Sequence, residues 1–202
     1  MAGSPERLSA HFTIAEMIES GTARRDPELW RRQCMPAAEV EHALRRLATN
    51  TLQPLRDLFG WPVLVNSGYR CTELNRRIGG ASRSQHCRGE AADIRLAAGW
   101  TIDRAQEGLP LHRVSEDTGR REELLTPNGW LFAVAAALIE QLDVDQVIHE
   151  HGVRFGAPAW IHISHGPRRR RKLLAIGNWT GGVYRSCASL AEMADMAEGA
   201  GW

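Results

Sequence analysis

One stretch indicates both the fold and the chemistry of this chain: Ser84-Gln85-His86-Cys87-Arg88-Gly89-Glu90-Ala91-Ala92-Asp93. It holds two side chains of the kind that bind metal ions, His86 and Asp93, with a glycine turn at Gly89 between them. Asp93 opens the run Asp-Ile-Arg-Leu, which is typical of a strand. One candidate ligand would therefore lie on a loop and the other on a rigid strand.

A third candidate ligand, His162, lies far downstream in the short apolar alternation Trp-Ile-His-Ile-Ser that starts at Trp160. Two histidines and one carboxylate leave one of the four positions on a zinc ion open, as catalysis requires. A structural zinc site would use several cysteines and fill all four positions. The three residues therefore predict a catalytic metal site. The plainer alternative is a loop histidine, a strand-start aspartate and a core histidine with no shared role.

Five residues of the opening stretch also carry a resemblance to a known family. Ser84, His86, Gly89, Ala91 and Asp93 follow the pattern Ser-x-His-x-x-Gly-x-Ala-x-Asp, which resembles the signature of the zinc D-Ala-D-Ala carboxypeptidases. That family includes the vancomycin-resistance dipeptidases and the phage L-alanyl-D-glutamate endolysins. Three more segments resemble its arginine-bearing strand end, its connector and its last ligand motif, in this order: residues 66–70, 75–80 and 160–162.

The resemblance covers about residues 12–177 and is interrupted after residue 96. It implies an α+β fold of the Hedgehog/DD-peptidase type, with a small, mainly antiparallel sheet and flanking helices. It also implies Zn²⁺ as the metal ion, since nitrogen and oxygen ligands do not themselves select strongly among divalent ions. The implied substrates are peptidoglycan stem peptides. They would be cut by a D-Ala-D-Ala carboxypeptidase or an L-Ala-D-Glu endopeptidase activity.

Metal-assisted hydrolysis needs a general base that takes the proton of the attacking water, and a carboxylate near the metal is the usual choice. Glu150 is our candidate, because it ends a predicted strand and could lie beside the strand that carries His162. Several relatives place the glutamate three residues before the last histidine, a position that Ala159 occupies here. A solvent-facing Glu150 is the simpler alternative, and three histidines are alternative bases: His149, His151 and His165. Strand alternation would turn the first two away from Glu150 and the third away from His162.

Three further residues are candidates for contact with the substrate. The planar guanidinium of Arg70 can hold a carboxylate or stabilise an oxyanion, the role that the resemblance implies for it, although a surface arginine is the alternative. Ser84 resembles a family serine that binds substrate, and a turn-capping hydroxyl is equally compatible. Trp160 is expected to line the substrate cleft. A thiol nucleophile at Cys87 is not expected, because such a cysteine needs a partnered base and a lowered pKa.

The composition of the chain limits its class. With 202 residues, of which 43% are hydrophobic, it is long enough to bury a core. A net charge of +1 excludes a whole-protein field for nucleic acid, and four widely spaced cysteines without a CxxC pattern favour reduced thiols. The N-terminus lacks the apolar segment of a signal peptide, and no run of about 18 apolar residues predicts a membrane span. We therefore expect synthesis in the cytoplasm, action on the wall after release or within a phage particle, and a monomer.

The order of elements predicts one peptidase-like domain at residues 1–185 and a tail or short helix at 186–202. A capping box at Thr13 and Glu16 predicts a short helix. Residues 20–36 are expected to be irregular, a long helix from Pro36 to be interrupted near Pro54, and residues 97–129 to form a loop insertion. An apolar helix and four strands complete the prediction: helix 130–142, then strands 61–66, 146–150, 161–164 and 173–176.

The basic run at residues 168–172 is expected to form a solvated hairpin turn, with attraction to anionic wall polymers as an alternative. Nucleic-acid binding by this run would make affinity fall steeply with salt, but no interleaved aromatic residues favour it. The rival to a peptidase is a non-catalytic, zinc-containing structural or interaction module of a phage or prophage particle. A catalytic site needs Glu150 and Arg70 directed at the metal, whereas a structural site needs neither.

Overall fold

A computed structural model of the chain describes residues 6–102, 125–152 and 154–199. The helices of these ranges are α1 Ile14–Ile18, α2 Gly21–Arg24, α3 Pro27–Gln33, α4 Ala38–Leu47, α5 Gln53–Phe59, α6 Thr72–Arg77, α7 Pro127–Ala137 and α8 Leu190–Gly199. The strands are β1 Val63–Ser67, β2 Ala91–Leu96, β3 Gln146–Gly152, β4 Trp160–Ser164, β5 Lys172–Gly177 and β6 Arg185–Cys187. The predicted α+β class is confirmed. Most of the predicted insertion, residues 103–124, lies outside the described ranges.

The strands form one sheet in the order β1-β2-β4-β3-β5-β6. Neighbouring strands are antiparallel except β3 and β5, which are parallel, so the mainly antiparallel sheet predicted from the resemblance is confirmed. Although β4 and β5 follow each other in the sequence, β3 lies between them. The hairpin turn predicted between these two strands is therefore wrong, because their connection crosses over β3.

The basic run in this connection is paired with acidic residues that precede β3. Arg169 Nε lies 2.8 Å from Asp143 Oδ1, and Arg171 Nη1 lies 3.2 Å from Glu140 Oε1. Arg170 binds the buried Asp145 through both its backbone N–H and its guanidinium, the latter at 2.6 Å from Oδ2. Three of the five cations are thus neutralised locally, and the run anchors the crossover to the protein.

The N-terminal helices are fixed by local capping. Thr13 accepts a hydrogen bond from the backbone of Glu16, whose carboxylate accepts one from the backbone of Thr13, so the predicted capping box is confirmed. The irregular segment predicted at residues 20–36 is wrong, because α2 and α3 lie there. Ser20 and Asp26 cap these two helices, and Pro27 occupies the first turn of α3, where no N–H is needed.

The long helix predicted from Pro36 is interrupted as expected near Pro54. Helix α4 passes into a π-helical segment at Ala48–Leu52 and then into α5, which has Pro54 in its first turn and is capped at its C-terminus by Gly60. Gly60 adopts φ of 55°, a left-handed conformation that favours glycine. The apolar side of these helices packs in the core with strand residues of one sheet face. That face includes Val147, Ile161, Ile163 and Ile94.

Two elements of the C-terminal half differ from the prediction. Helix α7 starts at Pro127 after the cap Thr126 and ends at Ala137, a shift of several residues towards the N-terminus. Strand β6 was not predicted and pairs with β5 through Leu173 and Cys187, among others. In the ranges that the structure covers, no helix combines the length and the apolar character that crossing a bilayer requires.

Candidate active site

Strand alternation places two of the candidate ligands on the sheet face opposite the core. Asp93 on β2 pairs directly with His162 on β4, and their sequence neighbours Ile94, Ile161 and Ile163 point into the core. Both polar side chains are nevertheless buried. The strands therefore hold a carboxylate and an imidazole side by side in a position shielded from water.

His86 reaches the same place from a 3-10 turn, Gln85–Arg88. The turn closes at Gly89, whose φ is 68° and where an added Cβ would lie 2.6 Å from the carbonyl oxygen of Val40 on α4. Only glycine suits this close approach. His86 Nδ1 lies 2.6 Å from the carbonyl oxygen of Gly68. Because a carbonyl only accepts, Nδ1 carries the proton and Nε2 offers its lone pair towards Asp93 and His162.

Three potential ligand atoms form a nearly equilateral triangle. His162 Nδ1 lies 3.1 Å from both His86 Nε2 and Asp93 Oδ1, and His86 Nε2 lies 3.2 Å from Asp93 Oδ1. Tetrahedral ligands at about 2.0–2.2 Å from a metal are about 3.3–3.6 Å apart, so the observed spacing fits a shared ion. Within the described ranges no other three His, Cys, Asp or Glu side chains form such a group.

The electrostatics of the triangle suit a cation. Burial lowers the pKa of His86, which keeps its imidazole neutral and able to act as a ligand. Burial by itself would raise the pKa of Asp93, but the neighbouring His86 and His162 hold that pKa well below its usual range. The group therefore offers one carboxylate charge and two imidazole nitrogens to a metal ion.

Arg70 lies directly behind this group. Its Nη2 donates to Asp93 Oδ2 at 2.5 Å, while its Nε donates to Ser67 Oγ at 2.8 Å. Its backbone N–H also donates to the carbonyl oxygen of His86 at 3.2 Å. Because Oδ2 of Asp93 binds the guanidinium, Oδ1 is the oxygen that faces the histidines. The structure thus brings Arg70 to the site through Asp93, a contact that was not predicted.

Glu150 lies on the same sheet face, one strand further. Its β3 neighbour Ile148 pairs with His162, and Glu150 itself pairs with Trp160. Its Oε2 accepts a hydrogen bond from Trp160 Nε1 at 2.8 Å, and its Oε1 accepts one from the hydroxyl of Tyr184 at 3.5 Å. Only 9% of the residue is exposed. Glu150 is therefore a buried carboxylate, fixed by hydrogen bonds at both oxygens, on the same sheet face as the triangle of ligand atoms. It is not a solvent-facing side chain.

A comparison with protein families shows which family the chain belongs to. The model of the family described as peptidase M15 matches residues 10–115, just over half of the chain. The chain belongs to the peptidase M15 family. The match includes His86 and Asp93, whereas Glu150 and His162 lie beyond it. M15 peptidases are metal-dependent and act on peptidoglycan-related peptides. A search among curated proteins found no match.

The three alternative bases in this M15 peptidase lie in different surroundings. His149 points into the core, where burial lowers its pKa to about 4. His165 is also buried, with Nδ1 3.5 Å from Thr51 Oγ1. His151 was predicted to face away from Glu150, but an irregularity in β3 gives it a φ of 52° and places its ring 4.9 Å from that of Trp160. The strand alternation therefore ends at Glu150.

The remaining predicted positions surround the 3-10 turn. Ser84 precedes the turn, and in the described structure its hydroxyl makes no capping hydrogen bond to it. Burial raises the pKa of the Cys87 thiol, which opposes a thiolate nucleophile at this position. Sequence reasoning missed Tyr184, because nothing in the local pattern around it indicates that it meets Glu150.

Proposed function

We propose that this chain is a zinc-dependent hydrolase of peptidoglycan stem peptides, of the D-Ala-D-Ala carboxypeptidase or the L-Ala-D-Glu endopeptidase type. The observation that carries the proposal is the triangle of His86 Nε2, Asp93 Oδ1 and His162 Nδ1, with the Glu150 carboxylate held on the same sheet face. Membership of the peptidase M15 family supports hydrolysis of an amide, and the triangle and Glu150 supply candidate residues for it.

His86, Asp93 and His162 would hold the Zn²⁺ ion, which when bound lowers the pKa of a coordinated water towards about 7 and polarises a carbonyl oxygen. The second oxygen of Asp93 stays bound to Arg70, so the carboxylate is held in one orientation. The carbonyl of Gly68 does the same for His86 by fixing its tautomer. Such outer contacts typically change metal affinity or activity about 10–100-fold.

Glu150 acts as the general base in this proposal. Its carboxylate accepts the proton of the attacking water and returns it to the nitrogen of the leaving amine. Hydrogen bonds at both oxygens limit rotation of the carboxylate, so little reorganisation precedes the transfer. Burial of the group excludes bulk water that would compete for its lone pairs.

Two further residues are assigned to substrate binding. Trp160 lies next to Glu150 across the β3–β4 pair, and its partly buried ring would form a wall of the cleft. The hydroxyl of Ser84, beside the turn that carries His86, would hydrogen-bond the peptide. Arg70 would contribute to substrate or oxyanion binding in addition to holding Asp93.

The test measures new amino groups released from purified peptidoglycan, with and without a chelator, for wild type and Glu150→Ala, with the zinc content of both. We expect release by wild type only, abolition by the chelator, and a zinc-loaded but inactive Glu150→Ala. Glu140→Ala, at an exposed glutamate, is the matched control and should remain active. Mass spectrometry of the products would name the bond.

A different outcome would favour the non-catalytic alternative. If wild type and Glu150→Ala both hold zinc and neither releases amines from any wall tested, the hydrolase proposal fails. The chain would then be a metal-containing structural or interaction module. If Glu150→Ala stays active, the hydrolase survives but its base lies elsewhere.

A further inference from the structure

Tyr184 combines an exposed ring with a contact to a buried carboxylate. The residue is 58% exposed, yet its hydroxyl lies 3.5 Å from Oε1 of Glu150. The sheet topology explains this meeting. Because β5 is parallel to β3, with Ile176 paired to Glu150, the end of β5 lies at the same edge of the sheet as Glu150. The segment that leaves β5 therefore passes Glu150 before β6 returns.

The segment at residues 178–184 is held at its base and reversed by two glycines. Trp179 is buried and its ring lies 5.3 Å from that of His149 in the core. Gly181 and Gly182 both have a positive φ, 69° and 74°, which favours glycine. The N–H of Gly182 donates to the carbonyl of Gly177 at 3.0 Å. This tight reversal directs the chain back over the sheet edge and presents Tyr184 towards Glu150.

We propose that Tyr184 is a positioning residue that holds the Glu150 carboxylate at Oε1 while Trp160 holds it at Oε2. The inference rests on the proposed function, in which Glu150 is the base. A carboxylate held at both oxygens is fixed in its orientation, whereas one held at a single oxygen can rotate. Of the two donors Tyr184 is the more exposed, so its ring is the one that faces solvent beside Glu150.

The protonation state of Tyr184 agrees with a donor role. Burial of the hydroxyl, then the negative charges of Glu150 and Asp93, raise the pKa of Tyr184 above its ordinary value. The phenol therefore stays protonated at neutral pH and donates to the carboxylate. A phenolate at this position would repel Glu150 instead.

The first test needs no catalytic activity. The chain has two tyrosines, so in a Tyr69→Phe protein the ultraviolet absorbance of tyrosinate reports Tyr184 alone. We expect ionisation above pH 10, and a downward shift of its midpoint when Glu150→Gln removes the neighbouring charge. Glu140→Gln, at an exposed glutamate, should leave the midpoint unchanged, and circular dichroism verifies the fold at each pH. Equal midpoints in the Glu150 and Glu150→Gln proteins would overturn the proposal.

The second test separates positioning from substrate binding. Tyr184→Phe should lower kcat about threefold, as expected for loss of one hydrogen bond, and leave KM within about twofold. Tyr69→Phe is the control for loss of a tyrosine hydroxyl. An unchanged kcat, or a raised KM at constant kcat, would contradict a positioning role.

The two tests also separate this inference from the proposed function. If metal-loaded wild type cuts no peptidoglycan peptide, the proposed function fails, while the tyrosine titration still decides whether Tyr184 holds Glu150. If wild type is active but Tyr184→Phe equals it, only the positioning role is lost.

Discussion

Two histidines on neighbouring strands, His162 on β4 and His149 on β3, are both buried but on opposite faces of the sheet. His162 Nδ1 lies 3.1 Å from a second imidazole and from a carboxylate oxygen. His149 lies among the rings of Phe132, Phe155 and Trp179, and neither ring nitrogen has a hydrogen-bond partner among the described residues. The same residue type is thus a candidate ligand on one face and part of the core on the other.

The difference shows that burial alone does not identify a functional histidine. A buried polar atom without a partner costs about 1–3 kcal/mol, so the His149 face loses stability without gaining chemistry. On the other face Asp93, Arg70 and the carbonyl of Gly68 satisfy the polar atoms of the site. Convergence of several polar groups, each oriented by another, is what separates the two surroundings.

Removal of a ligand should have the greatest consequence. His162→Ala should abolish stoichiometric metal binding and lower peptidase activity by more than about 1,000-fold, because two ligands do not fix the ion and its water. Metal analysis and amine release measure both quantities. His149→Leu is the matched control and should keep its metal and its activity. A His162→Ala protein that binds metal as tightly as wild type would remove His162 from the ligand set.

Acid should destabilise the folded protein through the core histidine, His149. The pKa of His149 is about 4 in the folded protein against an ordinary 6.5, so between these values the unfolded chain binds a proton that the folded chain does not. Stability therefore falls as the pH drops from about 6.5 towards 4, by roughly 3 kcal/mol at about 1.4 kcal/mol per unit, and rises again with pH.

His149→Phe should remove this loss. Urea unfolding at pH 7 and at pH 4.5 should show a smaller decrease in the free energy of unfolding for the variant than for wild type. His42→Phe, at an exposed position on α4, controls for the loss of a histidine. An equal decrease in His149→Phe and wild type would mean that His149 is not buried in its neutral form.

Arg70→Met tests whether an orienting contact matters for metal binding, because it removes the guanidinium and leaves all three ligands. Asp93 Oδ2 would lose its guanidinium partner, so metal affinity should fall about 10–100-fold. Competition with a chelator measures the affinity. Arg95→Met is the control, because Arg95 lies on β2 with Asp93 but hydrogen-bonds to Asn66. Wild-type affinity in Arg70→Met would limit Arg70 to a role with substrate.

The smallest expected effect concerns the base. Trp160→Phe removes the indole N–H bound to Glu150 and keeps an aromatic ring, so kcat should fall about threefold with metal affinity unchanged. Steady-state kinetics measure it, and Trp30→Phe, whose ring contacts Arg24 away from the site, serves as control. A larger loss of metal than of kcat would show that Trp160 supports the ligands instead.

Local patterns in the sequence predicted much of the site. Alternation along β2 and β4 puts Asp93 and His162 on the face opposite their apolar neighbours, and His86 was expected on a loop before β2, where the 3-10 turn lies. The capping box at Thr13 and the break near Pro54 were also predicted, because both depend on residues close in sequence. The one-domain boundary at residue 185 stays a prediction.

The missed features depend on contacts between distant residues. Nothing between β4 and β5 in the sequence indicates that β3 lies between them in space, which is why a hairpin was expected. The contact of Tyr184 with Glu150 follows from the same parallel pairing. The orientation of His151 depends on an irregular register between β3 and β5, which apolar alternation does not reveal.

The triangle joins ligands that are far apart in the sequence. Asp93 and His162 are separated by 69 positions, and His86 and His162 by 76. An ion bound there would cross-link two distant parts of the polypeptide, and closing a loop of this length costs an unfolded chain several kcal/mol of entropy. During synthesis the centre of the sheet cannot be completed until β4 has left the ribosome, so folding of the β2–β4 pair and assembly of the triangle are one late event. Once the pair has formed, bound metal should slow unfolding far more than it speeds folding.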